Sequence, residues 1–223
     1  MNVEGVRLNE CTDRPFLSLA LRNGTLVSRL DPFDKPSFQR RLRNVSQKEA
    51  FARALGLKSS APKTVFDMCG GTGADAVLMA EFGARVTCCE KHPVVATLLA
   101  HTLAAMRERE EDAETASRIA LFVGDARECA EPEAFDAAHI DAMFLKNGAA
   151  LAHKDMRLLQ ELTEGEPDES QSLLACALAK APRVAVKRAA SSSPLAPPCF
   201  SIEGKAVRYD VYVRRNARIF ESG

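Results

Sequence analysis

From residue 64 onward the chain repeats one pattern: a short apolar run, a turn, then a longer stretch with apolar residues at helical spacing. Thr64–Met68, Arg85–Cys89, Ile119–Val123, Ala137–Ile140 and Arg183–Val186 read as strands. Short continuous apolar runs bounded by turn residues suit strands buried on both faces of a parallel sheet. Ala74–Phe82, Val94–Arg107 and Ser170–Lys180 carry the helical period, with Pro93 at a favourable helix start. Arg107–Ser117 is charged and reads as a solvated helix end or loop, and Ala189–Pro198 as a serine- and proline-rich loop. Val207–Val213 alternates as Val-Arg-Tyr-Asp-Val-Tyr-Val, the period of a late antiparallel strand. Together these predict an α/β fold with a Rossmann-like, mostly parallel sheet of seven strands, closed by a terminal β-hairpin.

The first 60 residues follow a different pattern. Phe16–Leu21 and Thr25–Leu30 flank Arg22-Asn23-Gly24, a strong hairpin signal. Phe38–Gly56 is basic and partly helical. Ser46 and Glu49 stand at capping-box spacing, and Gly56 is placed to end the helix. Ser59–Lys63 reads as a linker. The chain is therefore expected to divide into an N-terminal hairpin and helix extension, residues 1–60, and a larger domain, residues 61–223.

The most informative stretch is Val65-Phe66-Asp67-Met68-Cys69-Gly70-Gly71-Thr72-Gly73-Ala74-Asp75. An apolar run ends in an acid, passes through a glycine turn and enters a helix. That order makes the first half of a nucleotide-binding unit. Glycine lets a ligand approach the backbone without a Cβ in the way. The second apolar run ends in Glu90, where an acid can accept hydrogen bonds from ribose hydroxyls. Gly71-x-Gly73-x-x-Ala76 also meets the loose dinucleotide fingerprint, so a nicotinamide cofactor stays open. Asp67 favours S-adenosylmethionine (SAM), because an anion there suits a zwitterionic methionine tail and sits badly beside a pyrophosphate. With SAM as cofactor, five parallel-type strands and a terminal β-hairpin suit the class I SAM-dependent methyltransferase architecture.

Asp125 follows the third strand of this unit and can accept from the adenine amino group. Asp141 ends the fourth strand at the C-terminal edge of the sheet, the expected ligand side. An exocyclic amine on a base is a poor nucleophile because its lone pair is delocalised. A carboxylate such as Asp141 and the carbonyl of Ala142 can accept its hydrogens, and Phe144 can stack the base. Lys154, Arg157, Lys187 and Arg188 fall beside this edge and are candidates for phosphate contacts. Arg40, Arg41, Arg43 and Lys48 form a second basic cluster.

Composition narrows the classes further. Lys plus Arg and Asp plus Glu both number 30 in 223 residues, which argues against whole-molecule steering to nucleic acid but not against a local basic face. The N-terminus lacks a signal peptide's basic start and apolar core, and no apolar run approaches the length of a membrane span. Seven cysteines, an odd count without CxxC spacing, suggest reduced thiols and a cytoplasmic protein. Cys69, Cys88 and Cys89 lie in or beside strands and read as small buried hydrophobes. His92, His101, His139 and His153 have no metal-ligand spacing, so no metal is assigned.

The ordered set Gln47–Gly56, Val65–Ala76, Val86–Leu99, Asp141–Phe144, His153–Arg157, Arg183–Arg188 and Arg208–Tyr212 resembles the bacterial ribosomal RNA small subunit methyltransferase J family. The run Glu90–Leu99 is especially close. The resemblance spans about Phe38 to Val213. It implies SAM-dependent methylation of guanine N2 in small-subunit (16S) ribosomal RNA, on naked RNA or the 30S subunit. By the same resemblance, cofactor contacts fall on Ala74 and Asp75, Glu90 and Lys91, Asp125 and Ala126, and Asp141. Where the family has Asp-Pro-Met-Phe-Pro, this chain has Asp141-Ala142-Met143-Phe144-Leu145, and Ala74 replaces an arginine. Three other readings stay open: a SAM- and RNA-binding protein without turnover, a methyltransferase for another amine or for protein, and a nicotinamide dehydrogenase.

Overall fold

The computed structural model describes residues 2–3, 6–10, 15–21, 24–57, 63–130, 135–141, 158–159, 161–163, 168–204 and 207–214. The larger of its two sheets has seven strands: β5 (Thr64–Asp67), β6 (Arg85–Glu90), β7 (Ile119–Val123), β8 (Ala137–Ile140), β9 (Arg183–Ala189), β10 (Phe200–Glu203) and β11 (Val207–Val213). Their order is β10-β11-β9-β8-β5-β6-β7. The pairs β5–β6, β6–β7, β5–β8 and β8–β9 are parallel; β9–β11 and β10–β11 are antiparallel. Strand order runs outward from β5 through β6 to β7, then returns to β8 on the other side. The crevice at the C-terminal ends of β5 and β8 is therefore the switch point where open α/β sheets bind ligands.

Why the apolar runs form this sheet is clear from which face each residue covers. Val65, Cys88, Ala137, Ala185 and Val211 pack on one face; Phe66, Cys89, Ala138, Val184 and Val186 pack on the other. Both faces are covered, so the parallel strands carry no regular polar alternation. The first face is covered by α2 (Ala50–Leu55) and α3 (Ala74–Glu81), with Leu103 and Met106 of α4 (Pro93–Arg107) and Ala116 of α5 (Glu110–Ser117). The second is covered by Leu174 and Ala177 of α6 (Ser170–Lys180).

The N-terminal region holds more than a hairpin. Strands β1 (Asn2–Val3), β2 (Val6–Asn9), β3 (Phe16–Leu21) and β4 (Gly24–Ser28) form a four-stranded antiparallel sheet. Arg22 and Asn23 of the expected turn lie outside the described residues, as does most of the Ser59–Lys63 linker. Val6, Leu17 and Leu30 bury against Val94, Val95 and Leu98 of α4. The basic segment makes two helices, α1 (Pro36–Arg43) and α2, and Gly56 ends α2 in a left-handed conformation, as expected. The expected capping box does not form. Glu49 heads α2 without a side-chain cap bond, because its carboxylate instead takes the Arg41 guanidinium at 2.8 and 2.9 Å. Phe51, Ala52, Ala54 and Leu55 build α2 into the core beneath the large sheet. Arg183 of β9 donates to the Ala54 and Arg53 carbonyls at 2.6 and 3.0 Å, tying the last turn of α2 to the sheet. Among the described residues no helix is long and apolar enough to cross a membrane.

Candidate active site

The glycine turn between β5 and α3 is shaped by packing on one side and open on the other. Gly73 has φ +80°, and a Cβ there would stand 2.4 Å from the Leu99 side chain. Only glycine allows α3 to start that close to α4. Gly71 has φ +52°, yet a Cβ there would meet only the Cys69 carbonyl, at 4.0 Å. The space beside Gly71 is therefore where a ligand can lie against bare backbone. Glu90, at the end of β6, accepts from the Gly71 and His92 backbone N–H groups at 2.7 and 2.8 Å. It holds the turn to the start of α4, one carboxylate oxygen on each N–H. Ala74 and Asp75 begin α3, and Lys91 follows β6.

A second group lies beyond β7. Arg127 donates to both carboxylate oxygens of Asp125, one through its Nε at 2.9 Å, and its guanidinium also reaches Glu169 at 2.7 Å. Lys91 closes the cluster with a 3.0 Å bond to Glu169. The Arg127 contact holds the Asp125 carboxyl below the ordinary carboxylate range. Ala126 beside it is buried.

The third group runs across the sheet at its C-terminal edge. Register pairs Asp67 with His139 and Lys187 with Tyr209. Asp67 and His139 are both buried, and Asp67 Oδ1 lies 3.1 Å from His139 Nδ1. The Lys187 ammonium donates to Asp75 at 2.8 Å and to Asp141 at 2.6 Å. These bonds bring α3, β9 and the end of β8 to one point. Burial pushes the Asp75 carboxyl up, but Lys187 and then His139 outweigh it and hold it at about 2. Burial pushes Lys187 down, and its two carboxylates more than reverse this. Tyr209 is driven up to about 12 by burial and by Asp75. Burial raises Asp67, with His139 opposing. His139 is also raised: burial alone would lower it, but Asp67, Asp75 and Asp141 together prevail.

The structure therefore brings Asp67, Asp75, Asp141 and Lys187 together, with Gly71, Gly73 and Glu90 forming the neighbouring turn. Lys187, expected at phosphates, puts its ammonium between two carboxylates. Arg188 donates to the Ser193 carbonyl at 2.8 Å. Ala142, Phe144, Leu145, Lys154 and Arg157 lie outside the described residues. The sequence reading missed His139. Its signal was a histidine inside the apolar run Ala137–Ile140, two positions before Asp141 and so on the same face. Among the described residues no group of His, Cys, Asp and Glu is arranged to hold a metal ion. The bare backbone at Gly71 and the carboxylate at the end of β6 suit a nucleoside; Asp67, expected to meet its cationic tail directly, is buried with its carboxylate on His139, so its attraction for such a tail acts through space.

Comparison with known proteins agrees. The SAM-dependent methyltransferase family model matches residues 20–214. A ribosomal RNA small subunit methyltransferase J from Rhodopseudomonas palustris is 36% identical over 177 residues, covering 77% of this chain and 80% of that protein. One from Pseudoalteromonas atlantica is 41% identical over 186 residues, covering 78% and 72%. The crystal structure of a SAM-dependent methyltransferase from Neisseria gonorrhoeae superposes with a TM-score of 0.74 at 27% identity, covering 98% of this chain and 87% of that one. The chain belongs to the ribosomal RNA small subunit methyltransferase J family of SAM-dependent methyltransferases.

Proposed function

We propose that this enzyme methylates the N2 amine of a guanine in small-subunit ribosomal RNA, in the cytoplasm, with the 30S subunit or its RNA as substrate. The observation that carries the reading is Asp141, placed at the switch point with one carboxylate oxygen fixed by Lys187 at 2.6 Å. A fixed acceptor at the reacting amine costs no reorganisation when the bond forms. SAM, when bound, supplies a methyl group already made electrophilic by its sulfonium. The protein's task is then positioning. Asp67, Gly71, Gly73, Ala74 and Asp75 would hold the methionine portion, Glu90 and Lys91 the ribose end, and Asp125 and Ala126 the adenine. Asp141 and the Ala142 carbonyl would accept the amine hydrogens and orient its lone pair, and Phe144 would stack the base. Lys154, Arg157 and Arg188 would contact phosphates along the approach; Lys187 serves the site itself.

Incubating the protein with labelled SAM and undermethylated small subunits, then digesting the RNA to nucleosides, tests this. N2-methylguanosine is expected. Methyl transfer to another amine would redirect the substrate assignment. Tight SAM binding without transfer to any ribosomal substrate would favour the binding-protein reading, for which Ala142 and Leu145, in place of the family's prolines, are the specific motive.

A further inference from the structure

His139 has no part in the mechanism above, yet it occupies the centre of the buried polar row. Its side chain is wholly inaccessible, and its Nδ1 faces Asp67. Its Nε2 is buried without a hydrogen-bond partner and points toward Asp75 Oδ2 at 3.9 Å. That distance is too long for a hydrogen bond and short enough for charge attraction. Asp75 then shares the Lys187 ammonium with Asp141. An unbroken chain of contacts therefore leads from Asp67 through His139, Asp75 and Lys187 to the carboxylate assigned to the reacting amine.

We propose that His139 is a positioning residue for methyl transfer: braced by Asp67, its imidazolium draws Asp75 into place, and Asp75 with Lys187 sets the orientation of Asp141. The role rests on the methyltransferase reading above. Sheet geometry makes the brace rigid. Asp67 and His139 are register partners on parallel strands, and Lys187 sits opposite Tyr209 on the next antiparallel pair. The groups facing His139 come from every surrounding element. They are Asp67 from β5, Asp75 from α3, Asp141 past β8, and the Phe51 ring of α2, edge-on with centroids 5.8 Å apart. Lys187 and Tyr209 act on the same Asp75 from β9 and β11, and the charge of Arg41, on α1, acts on it through space. Three carboxylates near His139, set against Lys187 and the charge of Arg41, favour the charged imidazole, and the charged form is the one that attracts Asp75.

The sign of the pH effect follows. The folded protein binds the His139 proton more tightly than free imidazole does. The contribution of the His139 proton to the brace is therefore fully present below the free imidazole value and is lost as pH rises through the raised one. Two measurements on the full chain test the proposal. In the first, kcat for methyl transfer is followed against pH in the wild type and in His139→Gln, which keeps a polar contact to Asp67 but cannot titrate. The wild type should lose activity on the alkaline side. The variant should lack that fall and run about tenfold slower at neutral pH, the scale of losing an outer-shell partner of a functional group. An unchanged kcat, or the same alkaline fall in the variant, overturns the proposal.

The second measurement needs no turnover. The His139 imidazole is titrated by NMR in the wild type, Lys187→Met and Asp141→Asn. Removing the lysine charge should move the titration up, and removing the Asp141 charge should move it down. Titrations that coincide in all three proteins overturn the chain of contacts. If the wild type transfers no methyl group, the functional reading fails, and the NMR result alone decides whether the brace exists.

Discussion

The two sides of the active site are built on different physics. On the β5–α3–β6 side, shape dominates: Gly73 is pinned against Leu99, Gly71 faces open space, and Glu90 locks the turn through two backbone N–H groups. Toward β8 and β9, where Asp67 of β5 and Asp75 of α3 also turn, charge dominates: His139, Asp75, Lys187 and Asp141 form one electrostatic chain anchored by Asp67. The first side resembles a mould and should respond to added volume. The second holds its groups by balanced charge and should respond to neutralisation and pH. A cofactor used in every turnover suits a preformed mould, while a reacting amine needs an acceptor held in one orientation.

Neutralising the charged side at its end should have the largest effect. Asp141→Ala is expected to lower kcat by ~2.7–4 kcal/mol of transition-state stabilisation, the scale of removing one preorganised polar group. Thermal unfolding should move little, because Asp141 is partly exposed. Steady-state kinetics beside a melting curve checks both. Next comes the mould. Gly73→Ala forces a left-handed residue and a Cβ into Leu99, which should cost about 2–4 kcal/mol of stability in urea denaturation. A loss under 1 kcal/mol would show that Leu99 yields and that the turn is less closely packed than it looks.

A smaller effect separates the two sides by pH. The Asp75 carboxyl is depressed to about 2, so its stabilising contribution is present above its unfolded value and is lost as pH falls through about 2. Lys187→Met removes the chief cause, so Asp75 should protonate at higher pH and the acid unfolding midpoint should rise. An unmoved midpoint would mean that Asp75 is held by other groups. The smallest change is expected at the adenine end. Arg127→Ala frees Asp125 from a partly exposed pair and should alter SAM affinity only a few-fold, because solvent screens such pairs.

How far the sequence foretold each region tracks the same contrast. The bounds of β7, β8 and α6 were legible from their mostly apolar runs and those of β11 from its alternation, and the glycine turn was legible because backbone geometry restricts residue choice. The N-terminal sheet was seen only as a hairpin, since Asn2–Val3 and Val6–Asn9 are too short to show a period. The terminal hairpin was expected, but the bounds of its first strand, β10, were not read because Phe200–Glu203 follows a proline-rich loop and is largely exposed. Helix α5 read as a solvated helix end or loop because it is mostly polar. Its three leading acids, Glu110, Glu111 and Asp112, suit the positive end of a helix. Lys187 and His139 were the harder cases. Which carboxylates a lysine meets depends on strand register and on α3, and both are tertiary facts. A basic residue at a strand end looks the same in sequence whether it faces a phosphate or two aspartates.

The division of labour itself is tested most directly by calorimetric SAM affinity in two variants side by side. Gly71→Val fills the open space beside the turn, and Asp141→Asn neutralises the acceptor without changing its size. SAM binding should be abolished in Gly71→Val and stay within about tenfold of wild type, ~1.4 kcal/mol, in Asp141→Asn. Undiminished affinity in Gly71→Val, or its loss in Asp141→Asn alone, would contradict the account.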